Sequence, residues 1–129
     1  MKLLKCTAII LHLFFAIAIM ASQSYAEPET LLLTIILRHD QSKTLDQINE
    51  HLENTGFWKE FPPEGVEIVN WHIVMGIGHV ITLKVPPAQL RTVNLAIEKN
   101  AWGAFRSEFY PTYNFIPMWQ TIKEKNKKE

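Results

Sequence analysis

The chain reads Leu31-Leu32-Leu33-Thr34-Ile35-Ile36-Leu37, and this apolar run predicts the first strand of the fold. Seven residues are too few for a buried helix, and the β-branched side chains in the middle of the run favour an extended chain. Because nearly every residue is apolar, the pattern is typical of a strand buried on both faces. The polar residues 38–43 follow at once and predict a loop.

A helix is predicted after this loop, because Thr44 and Gln47 have the spacing of a capping box. Gly56 can adopt the left-handed conformation that ends a helix. The apolar residues between these positions recur at helical intervals and predict a buried stripe made of Leu45, Ile48 and Leu52.

Residues 66–85 predict a β-hairpin that turns at Gly76-Ile77-Gly78. A three-residue loop places Met75 opposite His79 and separates the side chains into two faces. We expect the apolar face to lie under the helices, with His79 at its end, and to carry Val69, Trp71, Ile73, Met75, Ile81, Leu83 and Val85. The other face has mixed character and carries Asn70, His72, Val74, Val80, Thr82 and Lys84.

Pro86-Pro87 ends the hairpin and begins a second helix, since proline is tolerated in a first helical turn. This helix is expected to end near Asn100 or Gly103. Its predicted buried stripe is Leu90, Val93 and Ile97.

The last part of the chain predicts an edge strand and a polar end. Residues 105–115 are rich in aromatic side chains, and Pro111 suits a strand at the edge of a sheet. Pro117 begins a last turn or short helix. Residues 123–129 are predicted to be a charged, solvated tail.

The predicted order of elements is strand, helix, strand, strand, helix, strand. Two strand–helix–strand halves of this kind give an α+β fold of ferredoxin-like βαββαβ topology, with a four-stranded antiparallel sheet and two helices on one face. The first strand has strong apolar residues on both sides, so exposing either side to water would be unfavourable. We therefore expect a homodimer in which a second copy packs against the sheet face that lacks helices.

In element order and spacing, residues 30–115 resemble the dimeric α+β barrel group, which includes muconolactone isomerases, antibiotic-biosynthesis-type monooxygenases and haem-degrading or haem-binding proteins. The resemblance rests on topology and not on a shared catalytic motif. Gly76-Ile77-Gly78-His79 and Phe109-Tyr110-Pro111-Thr112-Tyr113 resemble the signature of an exported bacterial family within this group. The resemblance implies a dimeric α+β barrel with a pocket beside the sheet, and it implies no particular activity.

Residues 1–26 have the features of a secretory signal peptide: two lysines at the start, an apolar run over residues 6–20, and small residues before a cleavage site after Ala26. An uncleaved N-terminal anchor is the alternative, although a membrane span needs about 20 apolar residues. We expect a periplasmic or secreted chain that begins at Glu27 and has no membrane contact after cleavage. It would consist of a domain over residues 27–118 and a charged tail over residues 119–129.

The composition excludes several classes of function. The 129 residues carry 13 basic and 13 acidic side chains, whereas nucleic-acid binders need surplus lysine and arginine to neutralise phosphates, so we expect no nucleic acid as partner. The single cysteine, Cys6, excludes an intramolecular disulfide. The histidines after the signal lack the i, i+4 helical spacing of a zinc enzyme, so we expect no metal and no cofactor. A haem role, with His72 or His79 as axial ligand, is the alternative.

Alternation along the strands places Arg38 on the mixed face, together with His72 and other polar residues of the hairpin. Cations on this face would stabilise developing oxyanion charge and His72 would transfer a proton, which suits a small anionic or enolisable ligand. His72 and Arg38 are therefore the candidate catalytic residues. The candidate ligand-binding residues are Asn70, Thr82, Lys84, Tyr110 and Tyr113. Against this, a mid-strand histidine is more often a packed or interface residue, and Arg38 and Lys84 can reach solvent along their apolar stems.

Three functions fit these expectations. The first is an exported domain that binds a small anionic or aromatic molecule, or a protein partner, on its sheet face. The second is a cofactor-independent enzyme of monooxygenase or isomerase type, which only fold analogy supports, with His72 as proton shuttle and Arg38 as oxyanion partner. The third is a structural or interaction protein whose mixed face is entirely an interface. Whether the protein is an enzyme stays open.

Overall fold

The computed structural model describes residues 29–127, so the predicted signal peptide lies outside the described residues. The strands are β1 (Leu31–His39), β2 (Glu67–Val74), β3 (Gly78–Val85) and β4 (Phe105–Thr112). The helices are α1 (Leu45–Thr55), α2 (Phe57–Glu60), α3 (Leu90–Asn100) and α4 (Ile116–Lys125). A short 3-10 helix over Pro87–Gln89 leads into α3.

The four strands form one sheet in the order β2-β3-β1-β4, and all three neighbouring pairs are antiparallel. The apolar strand β1 therefore lies in the interior of the sheet, and β4, which contains Pro111, lies at an edge as predicted. The structure confirms an α+β fold with a four-stranded antiparallel sheet. Its topology is compatible with a ferredoxin-like fold.

The hydrophobic core lies between one face of the sheet and the helices. Most residues of β1 and β3 that point to this face are buried, namely Leu33, Ile35, Leu37, Ile81, Leu83 and Val85. The helices cover them with Ile48, Leu52, Phe57, Val93 and Ile97. Burying each of these side chains contributes roughly 1.5–3 kcal/mol, so this layer supplies much of the stability of the fold.

The ends of α1 form as the sequence predicts. The Thr44 side chain accepts a hydrogen bond from the Gln47 amide, and the Gln47 side chain accepts one from the Thr44 amide. Gly56 ends the helix with a φ of 77°, a left-handed conformation that suits glycine. The predicted burial of Leu45 is wrong, because its side chain is 63% exposed in the first turn. Leu90 likewise begins α3 and is exposed, whereas Val93 and Ile97 are buried.

Strand β1 is longer than its apolar run, so the predicted loop at Arg38 and His39 is wrong. Arg38 pairs with Gly78 on one side and Arg106 on the other. The His39 amide also donates to the Ile77 carbonyl at 2.9 Å. Backbone pairing to both neighbours therefore holds these polar residues in the sheet.

The hairpin turns one residue earlier than predicted. Its loop is Met75-Gly76-Ile77, and Ile73 rather than Met75 lies opposite His79. This change shifts the pairing by two residues, which leaves every paired side chain on its predicted face. An irregularity between Ile68 and Asn70 interrupts the ladder, so the predicted place of Val69 on the helix-facing side is not supported by pairing.

The C-terminal segment is helical as far as Lys125, beyond the point at which the sequence predicts a solvated tail. None of the residues of α4 is buried. Within residues 29–127, no helix has the length and apolar character that crossing a membrane requires.

Candidate functional site

The face of the sheet opposite the helices, here called the open face, carries the polar side chains of the strands. Antiparallel pairing aligns Thr34 with Thr82 and with Tyr110, and His72 with Val80, so these side chains share this face. The side chains that pairing places on the open face are Leu32, Thr34, Ile36, Arg38, Glu67, Asn70, His72, Val74, Val80, Thr82, Lys84, Arg106, Glu108, Tyr110 and Thr112. They are half-buried or exposed, whereas Leu33, Ile35 and Leu37 on the other face of β1 are buried.

Three threonine hydroxyls meet in the middle of the open face. The Thr34 hydroxyl lies 3.3 Å from that of Thr82 and 3.2 Å from that of Thr112. Each hydroxyl can donate or accept, so the direction of these hydrogen bonds can adapt to a neighbouring group. This polar centre joins β3, β1 and β4.

Arg38, Glu108 and Tyr110 form a hydrogen-bonded chain beside the threonines. Arg38 Nε donates to Glu108 Oε1 at 2.6 Å, and the Tyr110 hydroxyl donates to Glu108 Oε2 at 2.9 Å. The hydrogen bond from Arg38 lowers the pKa of Glu108 most, and the hydrogen bond from Tyr110 lowers it further. The same carboxylate raises the pKa of Arg38 and of Tyr110. All three groups therefore hold one protonation state near neutral pH, which makes Glu108 a fixed acceptor and not a proton donor.

Arg106 adds a second guanidinium directly opposite Arg38. The two residues are cross-strand partners on β1 and β4, and Arg106 is exposed. Like charges in facing positions are unfavourable unless an anion lies between or beside them. Glu108 supplies one negative charge, and the charge of Arg106 also lowers its pKa. The group of three charges therefore keeps a surplus of one positive charge.

A cleft of about 530 Å³ opens at this end of the sheet. It lies where β1 ends, the hairpin turns and β4 begins. The residues that line it are Arg38, His39, Asp40, Gln41, Gly76, Ile77, Gly103, Phe105 and Arg106. Both guanidinium-bearing residues thus stand at a concavity large enough for a small organic molecule.

Tight backbone contacts hold the walls of the cleft. A Cβ atom at Gly78 would overlap the carbonyl oxygen of Leu37, so the hairpin approaches β1 closely only because this residue is glycine. The His39–Ile77 backbone hydrogen bond closes the same contact. On the other wall, the Asp40 carboxylate accepts from the amide and the hydroxyl of Ser42, and the hydroxyl bond lowers its pKa most.

Two histidines lie at this end of the sheet on the helix-facing side, and one of them, His39, also lines the cleft. The rings of His39 and His79 meet edge to face at 5.4 Å, and both contact Phe105. Trp71 Nε1 donates to His79 Nδ1 at 2.8 Å. Burial lowers the pKa of His79, and the neighbouring His39 lowers it further. His79 is therefore a neutral hydrogen-bond acceptor that positions the Trp71 ring.

The structure brings together some of the residues that the sequence predicts for the site. Arg38 and Tyr110 both donate hydrogen bonds to the Glu108 carboxylate. Thr82 is connected to this group by its hydrogen bond to Thr34, which is the cross-strand partner of Tyr110. Lys84 lies further along β3, opposite Glu67 on β2. These residues share the open face as alternation predicts.

Other predicted residues lie elsewhere. His72 and Asn70 are exposed on the edge strand β2, with β3 between them and β1. By sheet spacing, the backbone of His72 is about 12 Å from that of Arg38, so a small ligand held by Arg38 in the cleft would not reach His72. Tyr113 follows the end of β4 and is 80% exposed. The structure therefore does not join His72 and Arg38 into one compact catalytic pair.

Sequence reasoning did not single out Arg106 and Glu108. Both lie on a segment recognised mainly by its aromatic residues, and alternation alone gives them the same face as Tyr110. The facing position of Arg38 and Arg106 depends on the register between β1 and β4, which are more than 60 residues apart in sequence. Alternation along each strand is enough to predict that Arg38 and Arg106 lie on the same face. That they face each other can be known only from the register between β1 and β4.

Comparison with known proteins identifies no relative: no family model matches the chain, and no curated protein or solved structure is significantly similar to it. Within the described part of the chain, no group of three histidine, cysteine, aspartate or glutamate side chains is arranged to hold a metal ion. The proposals below therefore depend on the geometry of the site.

Proposed function

We propose that the protein binds a small anion, carrying a carboxylate or phosphate group, between Arg38 and Arg106 at the mouth of the cleft. The single observation that carries this proposal is the cross-strand pair of guanidinium-bearing residues, of whose two charges Glu108 offsets only one. The second carboxylate at the cleft, that of Asp40, is hydrogen-bonded to Ser42 and lies 3.9 Å from Lys43 Nζ. Arginine presents several N–H donors in a planar fork that matches carboxylate and phosphate oxygens. An anion bound here would offset the surplus positive charge.

The hydrogen bonds of Arg38 support this role. Its Nε atom is held by Glu108, while its terminal NH2 groups make no hydrogen bond to any side chain or backbone group of residues 29–127. Glu108 thus fixes the direction of the guanidinium and leaves donors for a ligand. A donor that is already oriented loses less conformational entropy on binding.

We also propose that the protein has a ferredoxin-like topology, forms a homodimer and is exported. Read from the other edge, the strand order is β4-β1-β3-β2, and each edge strand follows a helix in sequence; both features support a ferredoxin-like topology. Half-buried apolar side chains on the open face, Leu32, Ile36 and Val80, support a homodimer formed through this face, as in a dimeric α+β barrel. The apolar run of residues 6–20 supports export.

Calorimetric titration of the protein with inorganic phosphate and with succinate tests the proposed function. We expect saturable binding of at least one of these anions, which weakens as NaCl is raised because exposed charges are screened. Arg38→Gln and Arg106→Gln should each weaken binding about tenfold, equivalent to about 1.4 kcal/mol. Arg91→Gln is the matched control, because Arg91 is exposed on α3 and does not line the cleft.

Two results would overturn the proposal. One is the absence of saturable binding for both anions at low salt. The other is binding that Arg38→Gln and Arg106→Gln leave as strong as in the wild type. Circular dichroism of each variant keeps loss of binding distinct from loss of folding.

A further inference from the structure

Helix α4 has an apolar side that is about half exposed. Phe115, Met118, Trp119 and Ile122, here called the apolar stripe, are each between 46% and 56% exposed. At 100° per residue they fall within about 100° of the helix circumference. The fold therefore leaves a continuous apolar surface on a helix that adds nothing to the core.

Lysines border the apolar stripe on both sides. Helical spacing places Lys125 next to Met118 and Lys123 next to Trp119, and Lys123 Nζ lies 4.8 Å from the Trp119 ring centroid. Glu124 falls on the opposite, polar side. Lysine stems can lie along an apolar surface while their ammonium groups reach anionic groups at its boundary. A helix with an apolar side and lysines at its border can lie in the interface of a bilayer without crossing it.

The open face of a second copy is a poorer partner for this helix. It carries Arg38 and Arg106, of whose two charges Glu108 offsets only one, so this group would repel the lysines of α4. Anionic phospholipids offer the complementary charge together with an apolar interior, and basic residues near such a surface strengthen binding. Charge complementarity thus favours a lipid surface.

The place of α4 in the fold agrees with a lipid surface. Thr112, the last residue of β4, pairs with Leu32 at the start of β1, so α4 leaves the sheet at the end where the N-terminal segment enters it. If the apolar run of residues 6–20 were kept as an uncleaved anchor, the eleven-residue step from Met20 to Leu31 would span at most about 40 Å of extended chain. The cleft between Arg38 and Arg106 lies at the other end of the sheet, about 20 Å away by strand rise.

We propose that α4 docks on an anionic lipid bilayer, with its apolar stripe among the acyl chains and Lys123 and Lys125 at the phosphates. This inference is independent of the proposed anion-binding function. It replaces the expectation, drawn from the sequence, that the chain has no membrane contact after signal cleavage. Docking would direct the cleft away from the bilayer.

Hydrogen exchange of the full chain, measured with vesicles of phosphatidylcholine alone and of phosphatidylcholine with phosphatidylglycerol, tests the proposal. The N-terminal run can enter both kinds of vesicle, so the readout is local: exchange at amides 116–125. We expect it to slow at least about tenfold with the anionic vesicles and much less with the neutral ones, while exchange in β1 stays unchanged.

Paired variants separate the apolar and the charged contributions. Met118→Ser with Ile122→Ser should abolish the slowing, whereas Gln120→Ser with Thr121→Ser, on the polar side, should preserve it. Lys123→Gln with Lys125→Gln should remove the preference for phosphatidylglycerol. Equal exchange with both vesicles and in buffer would overturn the proposal. So would slowing that rises with protein concentration in the absence of lipid, because a second copy would then cover α4.

Discussion

Glu108 is the residue on which the charges of the open face converge. Its carboxylate accepts hydrogen bonds from Arg38 and Tyr110, and these bonds lower its pKa in the folded protein. A carboxyl group whose pKa is lower in the folded than in the unfolded state stabilises the fold above its ordinary titration range. This contribution is lost as the pH falls through the folded-state pKa.

We therefore expect the free energy of unfolding to fall more steeply on acidification in the wild type than in Glu108→Gln. Urea unfolding at a series of pH values from about 6 down to about 3, which spans the usual range of a glutamate, measures the difference. The glutamine keeps a hydrogen-bond acceptor and removes the titration. Identical pH dependence in the two proteins would show that Glu108 is not held by Arg38.

His79 gives a second prediction at the residue scale. Because Trp71 Nε1 donates to its Nδ1 atom, the neutral ring must carry its proton on Nε2. Burial and His39 also lower its pKa, so the ring should stay neutral to a more acidic pH than a histidine in an unfolded peptide. Nitrogen-15 chemical shifts of the imidazole report both the tautomer and the titration. A proton on Nδ1 at neutral pH would contradict this account.

At the scale of elements, the hairpin and β1 form the wall of the cleft through Gly78. Its φ of 137° and its contact with the Leu37 carbonyl leave no room for a side chain. We expect Gly78→Ala to destabilise the protein by roughly 3 kcal/mol or more, through strain and a displaced backbone. Thermal or urea unfolding measures the loss.

Gly76 provides the matched control for this prediction. It also has a positive φ, 77°, but a Cβ atom there would meet nothing within 4 Å. Gly76→Ala should therefore cost only the conformational penalty of about 1–2 kcal/mol. Equal losses for the two variants would mean that the close approach to β1 does not matter.

Alternation made the elements and their faces predictable. The apolar residues of β1 and the capping box at Thr44 identify their elements directly, because each pattern has one compatible geometry. The turn of the β2–β3 hairpin lies one residue earlier than predicted, and its strand pairing differs from the predicted pairing by two residues. The paired side chains still lie on their predicted faces, because side chains alternate between the faces with a period of two.

The register between the strands and the exposure of residues at the helix ends could not be predicted from alternation. The continuation of β1 through Arg38 and His39 depends on partners distant in sequence, in β3 and β4. The Arg38–Arg106 pair could not be predicted for the same reason, because β1 and β4 are far apart in sequence. Leu45 and Leu90 continue their helical stripes yet are exposed, because each begins its helix beyond the reach of the core.

At the scale of the whole molecule, the open face predicts self-association. Val80 is half-buried on this face between Ile36 and His72, and a second sheet would bury it. We expect the wild type to sediment as a dimer at micromolar concentrations and Val80→Glu to sediment as a monomer. Ile73→Glu is the control, because Ile73 is exposed on the other face of the sheet. A wild type that stays monomeric throughout would contradict a homodimer through this face.

In the proposed function, Arg38 and Arg106 together bind one anion at the mouth of the cleft. Nitrogen-15 spectra of the arginine side chains, recorded during a titration with phosphate or succinate, test it most directly. We expect the Nε–H signals of both arginines to move along the same saturating curve, while that of Arg91 stays in place. Signals of Arg38 and Arg106 that do not move, or that move no more than that of Arg91, would contradict it.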